Sequence, residues 1–213
     1  MGIQENLNTV LKTIPKNVTL VAVSKTKQKS AILEAYQIGQ RIFGENKVQE
    51  LVQKAEELPK DINWHMIGHL QTNKVKFIAP FISLIHAVDS VKLLKEINKR
   101  AKQNNRVINC LLQVHIATES TKFGFDLPEI NEAINNTKEF QNIKIVGLMG
   151  MATFTDNKQQ VLQEFNSLKV VFDTLKNEHI NILSMGMSGD YQLAIEQGST
   201  MVRVGSAIFG LRN

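Results

Sequence analysis

Residues 180–210 read INILSMGMSGDYQLAIEQGSTMVRVGSAIFG. Two short apolar runs stand out, INILSM from Ile180 and TMVRVG from Thr200, and their composition suits buried strands. Each runs into a polar turn carrying glycine and serine, GMSGD after the first and VGSAIFG after the second. Apolar strands that end in polar loops and are separated by helical or loop sequence are the mark of a parallel sheet covered on both faces.

The same alternation extends upstream. Six further runs precede these two: VTLVAVS from Val18, RIF from Arg41, NWHMI from Asn63, ISLIHA from Ile82, VINCLLQVHI from Val107 and IKIVGLM from Ile143. The second and third are too short to assign on their own. Helical spacing fills the gaps, with Val48, Leu51, Val52, Ala55 and Leu58 in one segment, Leu94, Ile97 and Ala101 in another, and Val161, Phe165, Leu168, Phe172 and Leu175 in a third. A further amphipathic helix opens the chain through Ile3, Leu7, Val10, Leu11 and Ile14, and is expected to cover one end of the sheet. Eight strands, each followed by helical or loop sequence, predict a single α/β domain over residues 1–213, a closed (β/α)8 TIM barrel with an extra N-terminal helix. An open doubly wound sheet is the alternative. No linker, low-complexity tract or longer repeat divides the chain.

With 213 residues, 43% hydrophobic and 21% charged, the composition is that of an ordinary globular protein. The net charge of +5 comes from lysines scattered along helix-like stretches, such as Lys92, Lys95, Lys99 and Lys102, which read as solvated faces rather than a nucleic-acid patch. Cys110 is the sole cysteine and sits in an apolar run, so it reads as a small buried hydrophobe in a reducing compartment. No signal segment, membrane-length apolar run or myristoylation signal is found, and a cytoplasmic location is expected, with no membrane and no nucleic-acid partner.

The eight segments that follow the runs are SKTK, FGEN, GHLQTNK, HAVDS, TESTKFGF, MGMAT, MGMSGD and VGSAIFG. In a parallel barrel they all fall at one end, where ligands bind. A phosphate is commonly held by the loops after strands seven and eight, and here Gly186 and Gly205 allow close backbone approach while Ser188 and Ser206 offer hydroxyls. Both serines also suit ordinary helix caps. Lys25 ends the first strand, where a partly desolvated amine can form a Schiff base with an aldehyde; position alone favours the plainer reading, a surface lysine lying along the strand end. His65 and His69 are four apart, but on a strand running into a loop they do not share a face, and a zinc site is not expected. There is no Walker loop, dinucleotide fingerprint or nucleophile elbow.

VAVSKTK, FGENKVQE, WHMIGHLQTNK, HAVDS, GLMGM, LSMGMSGD and STMVRVGSAIFG, in this order along nearly the whole chain, resemble the pyridoxal-phosphate homeostasis proteins. The resemblance implies the barrel of the alanine racemase N-terminal domain, PLP fold type III, with pyridoxal 5′-phosphate (PLP) as cofactor. It implies that Lys25 forms the internal aldimine and that Asn46, Met149, Ser188, Arg203, Gly205 and Ser206 surround the cofactor, Arg203 facing the pyridine nitrogen. A guanidinium there disfavours ring protonation and makes the ring a weak electron sink, so transamination is not expected. His115 and Gly150 depart from the family's usual residues.

The implied function is a carrier that buffers or delivers PLP, with PLP-dependent apoenzymes as transient partners and no robust catalysis of its own. The alternative is an amino-acid racemase. That chemistry needs an acid/base on each face of the substrate carbon. In the racemases the second is a tyrosine from a C-terminal β domain, which is not expected in a chain ending at Asn213; Tyr36 and Tyr191 match no such place. Without that domain's interface a monomer is expected.

Overall fold

The computed structural model describes residues 2–119 and 123–211. Eight strands, β1 (Thr19–Val23), β2 (Ile42–Glu45), β3 (Asn63–Met66), β4 (Leu84–Val88), β5 (Ile108–Val114), β6 (Ile143–Gly150), β7 (Ile182–Met187) and β8 (Met201–Val204), pair in chain order. The pairing of β1 with β8, in register from Thr19↔Met201 to Ala22↔Val204, closes the sheet. That closure decides for the barrel over the open sheet, and all pairs are parallel.

Helices fill the connections: α2 (Lys29–Gln37), α3 (Val48–Glu57), α4 (Val75–Ile78), α5 (Val91–Gln103), α6 (Ile130–Asn135), α7 (Lys158–Leu175), α8 (Tyr191–Glu196) and α9 (Ser206–Phe209). Their apolar stripes pack on the outer face of the barrel. Leu94, Ile97 and Ala101 of α5 and Phe165, Leu168 and Phe172 of α7 are all buried there. The opening helix, α1 (Ile3–Thr13), corrects the expectation of an end cover. It packs against α2 and α9, Asn6 Nδ2 donates to Ile208 O at 3.1 Å, and Thr13 Oγ1 lies 2.8 Å from the Tyr191 hydroxyl of α8. Because α9 is only one turn long, α1 takes the place in the helix ring that a longer helix after β8 would hold. Leu7 and Val10 supply its buried face.

Inside the barrel, Val21, Leu84, Ala87, Leu111, Met149 and Met201 form an apolar cluster separate from the main core. Side chains fill the interior, as barrel closure requires. Four polar groups, His65, His86, Ser184 and Arg203, are also buried within it. No helix of the described residues is long and apolar enough to cross a membrane.

Candidate functional site

A cavity of about 480 Å³ opens at the C-terminal ends of the strands. Lys25, one residue past Ser24 at the end of β1, faces it together with Asn46 after β2, Ser188 after β7 and Arg203, Gly205 and Ser206 from β8 and the turn beyond. Residues far apart in sequence meet here because parallel strands all deliver their following loops to one end. A second depression of about 410 Å³ lies along α5, lined by Lys92, Lys95 and Lys99 on the helix exterior. It draws on neighbouring surface residues and holds no convergent set of groups from separate strands, so the strand-end cavity is the better ligand site.

The loops after β7 and β8 are tied together, since the Gly205 N–H donates to Ser188 Oγ at 3.0 Å. That bond uses an oxygen lone pair and leaves the Ser188 proton for another acceptor. Neither serine is a helix cap: α9 starts from Gly205 and α8 from Asp190. Ser206 is exposed at the first position of α9, where N–H groups have no partner in the helix ladder. The site therefore combines a primary amine, hydroxyl and backbone donors across two adjoining loops, and a guanidinium. This donor set fits a small phosphorylated aldehyde with an aromatic ring nitrogen.

Arg203 is buried and anchored on three sides. One terminal nitrogen, Nη1, donates to Ser184 O at 2.9 Å and to Ser184 Oγ at 2.7 Å, while Nη2 donates to Gly150 O at 3.0 Å. Three of five guanidinium protons are thereby held, and two remain for a ligand. Burial pulls its pKa down to about 10, against an opposing pull from Asp190, so it stays charged at neutral pH. Behind it, Ser184 Oγ lies 3.1 Å from His86 Nδ1, and His86 Nε2 lies 3.0 Å from His65 Nδ1. Arg203 can only donate, so the Ser184 proton turns to His86 Nδ1. The His86 proton then sits on Nε2 and is accepted by His65 Nδ1.

Both imidazoles must be neutral for this chain to hold. Burial lowers His65 to about 3 and, with the charge of Arg203, lowers His86 well below its ordinary value. The unfolded chain takes up these protons near pH 6.5 and the folded chain does not, so stability falls as pH drops below about 6.5. Urea unfolding is expected to show a stability that declines steadily as pH is lowered from about 6.5 toward about 4, both histidines contributing in the same direction. His65→Gln, which keeps an acceptor for His86, should flatten that slope; an unchanged slope would place the acid sensitivity elsewhere.

Residues 2–213 match the family described as alanine racemase, N-terminal domain. A pyridoxal phosphate homeostasis protein of Aquifex aeolicus is 41% identical over 197 residues, covering 91% of this chain and 86% of the relative. The chain belongs to the pyridoxal phosphate homeostasis protein family. PipY of Synechococcus elongatus, a structure solved with PLP bound, superposes with a TM-score of 0.89 at 34% identity over 98% of this chain and 100% of PipY. The alanine racemase of Bartonella henselae matches over 98% of this chain and 58% of its own, at 19% identity and a TM-score of 0.77, and so shares the fold.

In this homeostasis-protein chain the remaining expected residues fall in different places. Met149 is fully buried in the barrel's apolar cluster and is not among the residues lining the cavity; Met151, packed against the same cluster, lines it instead. Gly186 is also away from the cavity. Its backbone has φ +95°, and a Cβ would lie 2.5 Å from Ala194 Cβ, so its role is to let α8 pack closely. His115 binds Glu119 O at 3.0 Å in the loop after β5. A side chain at Gly150 would meet Leu168 and Ile116 rather than the cavity, and the contribution of Gly150 is its carbonyl to Arg203.

His69 leaves the barrel, bonds Asp89 at 2.9 Å and stacks on Phe123, while His65 points inward to His86. No group of three metal-ligating side chains occurs among the described residues. Cys110 is fully buried, and burial pushes its thiol pKa up. Sequence reading missed His86, Ser184 and the rim residues Thr153 and Phe154. A histidine inside the apolar run ISLIHA is the signal that would have marked His86 as a buried polar group.

Proposed function

We propose that this chain holds PLP as a Schiff base on Lys25 and so buffers the reactive aldehyde or delivers it to PLP-dependent apoenzymes, with no robust catalysis of its own. The observation that carries this reading is the convergence of Lys25, Ser188, Gly205, Ser206 and Arg203 on one cavity. It is supported by the name of the Aquifex relative and by PLP bound to PipY. Serine and backbone donors suit the phosphate, the two remaining Arg203 protons suit the ring nitrogen, and Asn46 completes the wall beside Lys25. When bound, PLP would supply an aldehyde that the Lys25 amine could hold with loss of the carbonyl oxygen as water, and a competing amine could take over that carbon and set the Lys25 amine free. Holding and release need no second acid/base.

Racemisation would need one, and neither tyrosine offers it. Tyr36 bonds Asp61 at 2.8 Å, Tyr191 lies against Thr13, and neither lines the cavity. A monomer that works in the cytoplasm and meets apoenzymes transiently fits this reading. Loaded protein mixed with a PLP-dependent apoenzyme is expected to restore that enzyme's activity while showing no conversion of L- to D-alanine above the rate of free PLP. Lys25-dependent alanine racemisation at enzymatic rates would replace the carrier reading with the racemase one.

A further inference from the structure

Behind Lys25, on the side away from the cavity, lies a buried ion cluster that the binding site does not use. Lys54 of α3 is 4% exposed, and its ammonium has three protons and three acceptors: Ser24 O at 2.8 Å, Glu45 Oε1 at 2.7 Å and Glu50 Oε1 at 2.6 Å. Glu45 Oε1 also accepts from Ser24 Oγ at 2.6 Å, and Glu50 Oε1 from the Thr26 N–H at 2.6 Å. The cluster thus grips the residue before Lys25 by its side chain and carbonyl, and the residue after it by its amide.

The grip has something to hold. Thr26 has φ +65°, a left-handed backbone that a β-branched residue rarely adopts. Such a conformation persists only where surrounding bonds over-determine it. Here the turn is closed by Lys27 N–H donating to Ser24 O at 3.0 Å, the same carbonyl that Lys54 binds, and Ser24 N–H is fixed to Gly44 O at 3.1 Å. The chain is turned sharply just after Lys25, which keeps that side chain on the cavity side while α2 begins at Lys29.

We propose that Glu50 and Lys54, with Glu45, are positioning residues for Lys25: they fix the two peptide units that flank it and so set the amine at the aldehyde's position. This rests on the reading of Lys25 as the cofactor anchor. A displaced amine loses effective concentration at the aldehyde carbon while the phosphate and ring contacts stay as they were. The consequence is selective, touching the covalent part of binding and sparing the rest.

Two ligands separate the parts. PLP can form the Schiff base, whereas pyridoxine 5′-phosphate carries an alcohol in place of the aldehyde and cannot. Glu50 is partly exposed, so Glu50→Ala is the variant most compatible with folding. It is expected to weaken PLP binding about tenfold with pyridoxine 5′-phosphate binding unchanged. Glu50→Gln retains an oxygen for Thr26 and Lys54 and should restore most of the loss. Equal weakening of both ligands, or no weakening of either, would overturn the proposal. Lys25→Ala serves as the reference: if it keeps the wild-type preference for PLP over pyridoxine 5′-phosphate, the anchor reading itself fails, whatever Glu50→Ala does.

Discussion

Lys25→Ala is expected to bind PLP on the order of 100-fold more weakly, about 2.7 kcal/mol, and to lose the visible Schiff-base absorption. Binding should weaken rather than vanish. Ser188, Ser206 and Arg203 reach the cavity from β7, β8 and their loops, with Arg203 held by Ser184 and Gly150 and Ser188 by the Gly205 N–H. A dye-free titration by equilibrium dialysis, run beside an absorption spectrum, reads both effects. A variant that keeps the band would move the anchor, and Lys27 is the nearest rival, since it lines the same cavity while its ammonium donates to Leu211 O at 3.0 Å.

Gly147→Ala is expected to disrupt the barrel itself. Gly147 stands opposite Ile182 in the β6–β7 ladder, and a Cβ there would overlap the Ile182 carbonyl oxygen and lie 2.6 Å from its carbonyl carbon. The obstacle is backbone held by neighbouring strands on both sides, so it cannot give as a flexible side chain would. A cost of about 4–5 kcal/mol follows, which for a domain of this size lowers Tm by roughly 8–20 °C. Gly189→Ala is the control, because a Cβ there meets nothing within 4 Å. Circular dichroism melts of the two variants should differ accordingly; a Gly147→Ala melt within 3 °C of wild type would show that the ladder can shift.

The barrel was legible in sequence because its strands are buried on both faces and read as apolar runs. Where it was not, a charge or a polar group sat inside a strand. FGEN reads as a loop, yet Gly44 and Glu45 belong to β2, and Glu45 is tolerated at zero exposure because Lys54, nine residues on, pairs with it. HAVDS overlaps the run ISLIHA: His86 and Ala87 read within the strand, Val88 also belongs to β4, and the histidine is satisfied by Ser184 and His65 from two other strands. Such long-range partners leave no local mark.

The site divides along the same line. Lys25, Ser188 and Ser206 stand out because they follow apolar runs, while Arg203, within β8, is recognisable only from the family resemblance. Met149 illustrates the opposite limit: a motif position can lie next to a site in sequence and one layer beneath it in space. Glu50 and Lys54 read only as the polar face of an amphipathic helix, four apart; the turn they hold was not visible until β1 and α3 were placed together.

The central claim is that Lys25 carries the cofactor, and borohydride reduction of the PLP-loaded protein followed by peptide mapping tests it most directly. The account predicts one reduced phosphopyridoxyl adduct, on Lys25, with tryptic cleavage blocked at that residue. An adduct confined to Lys27 or to other lysines, or none at all under loaded conditions, would contradict it.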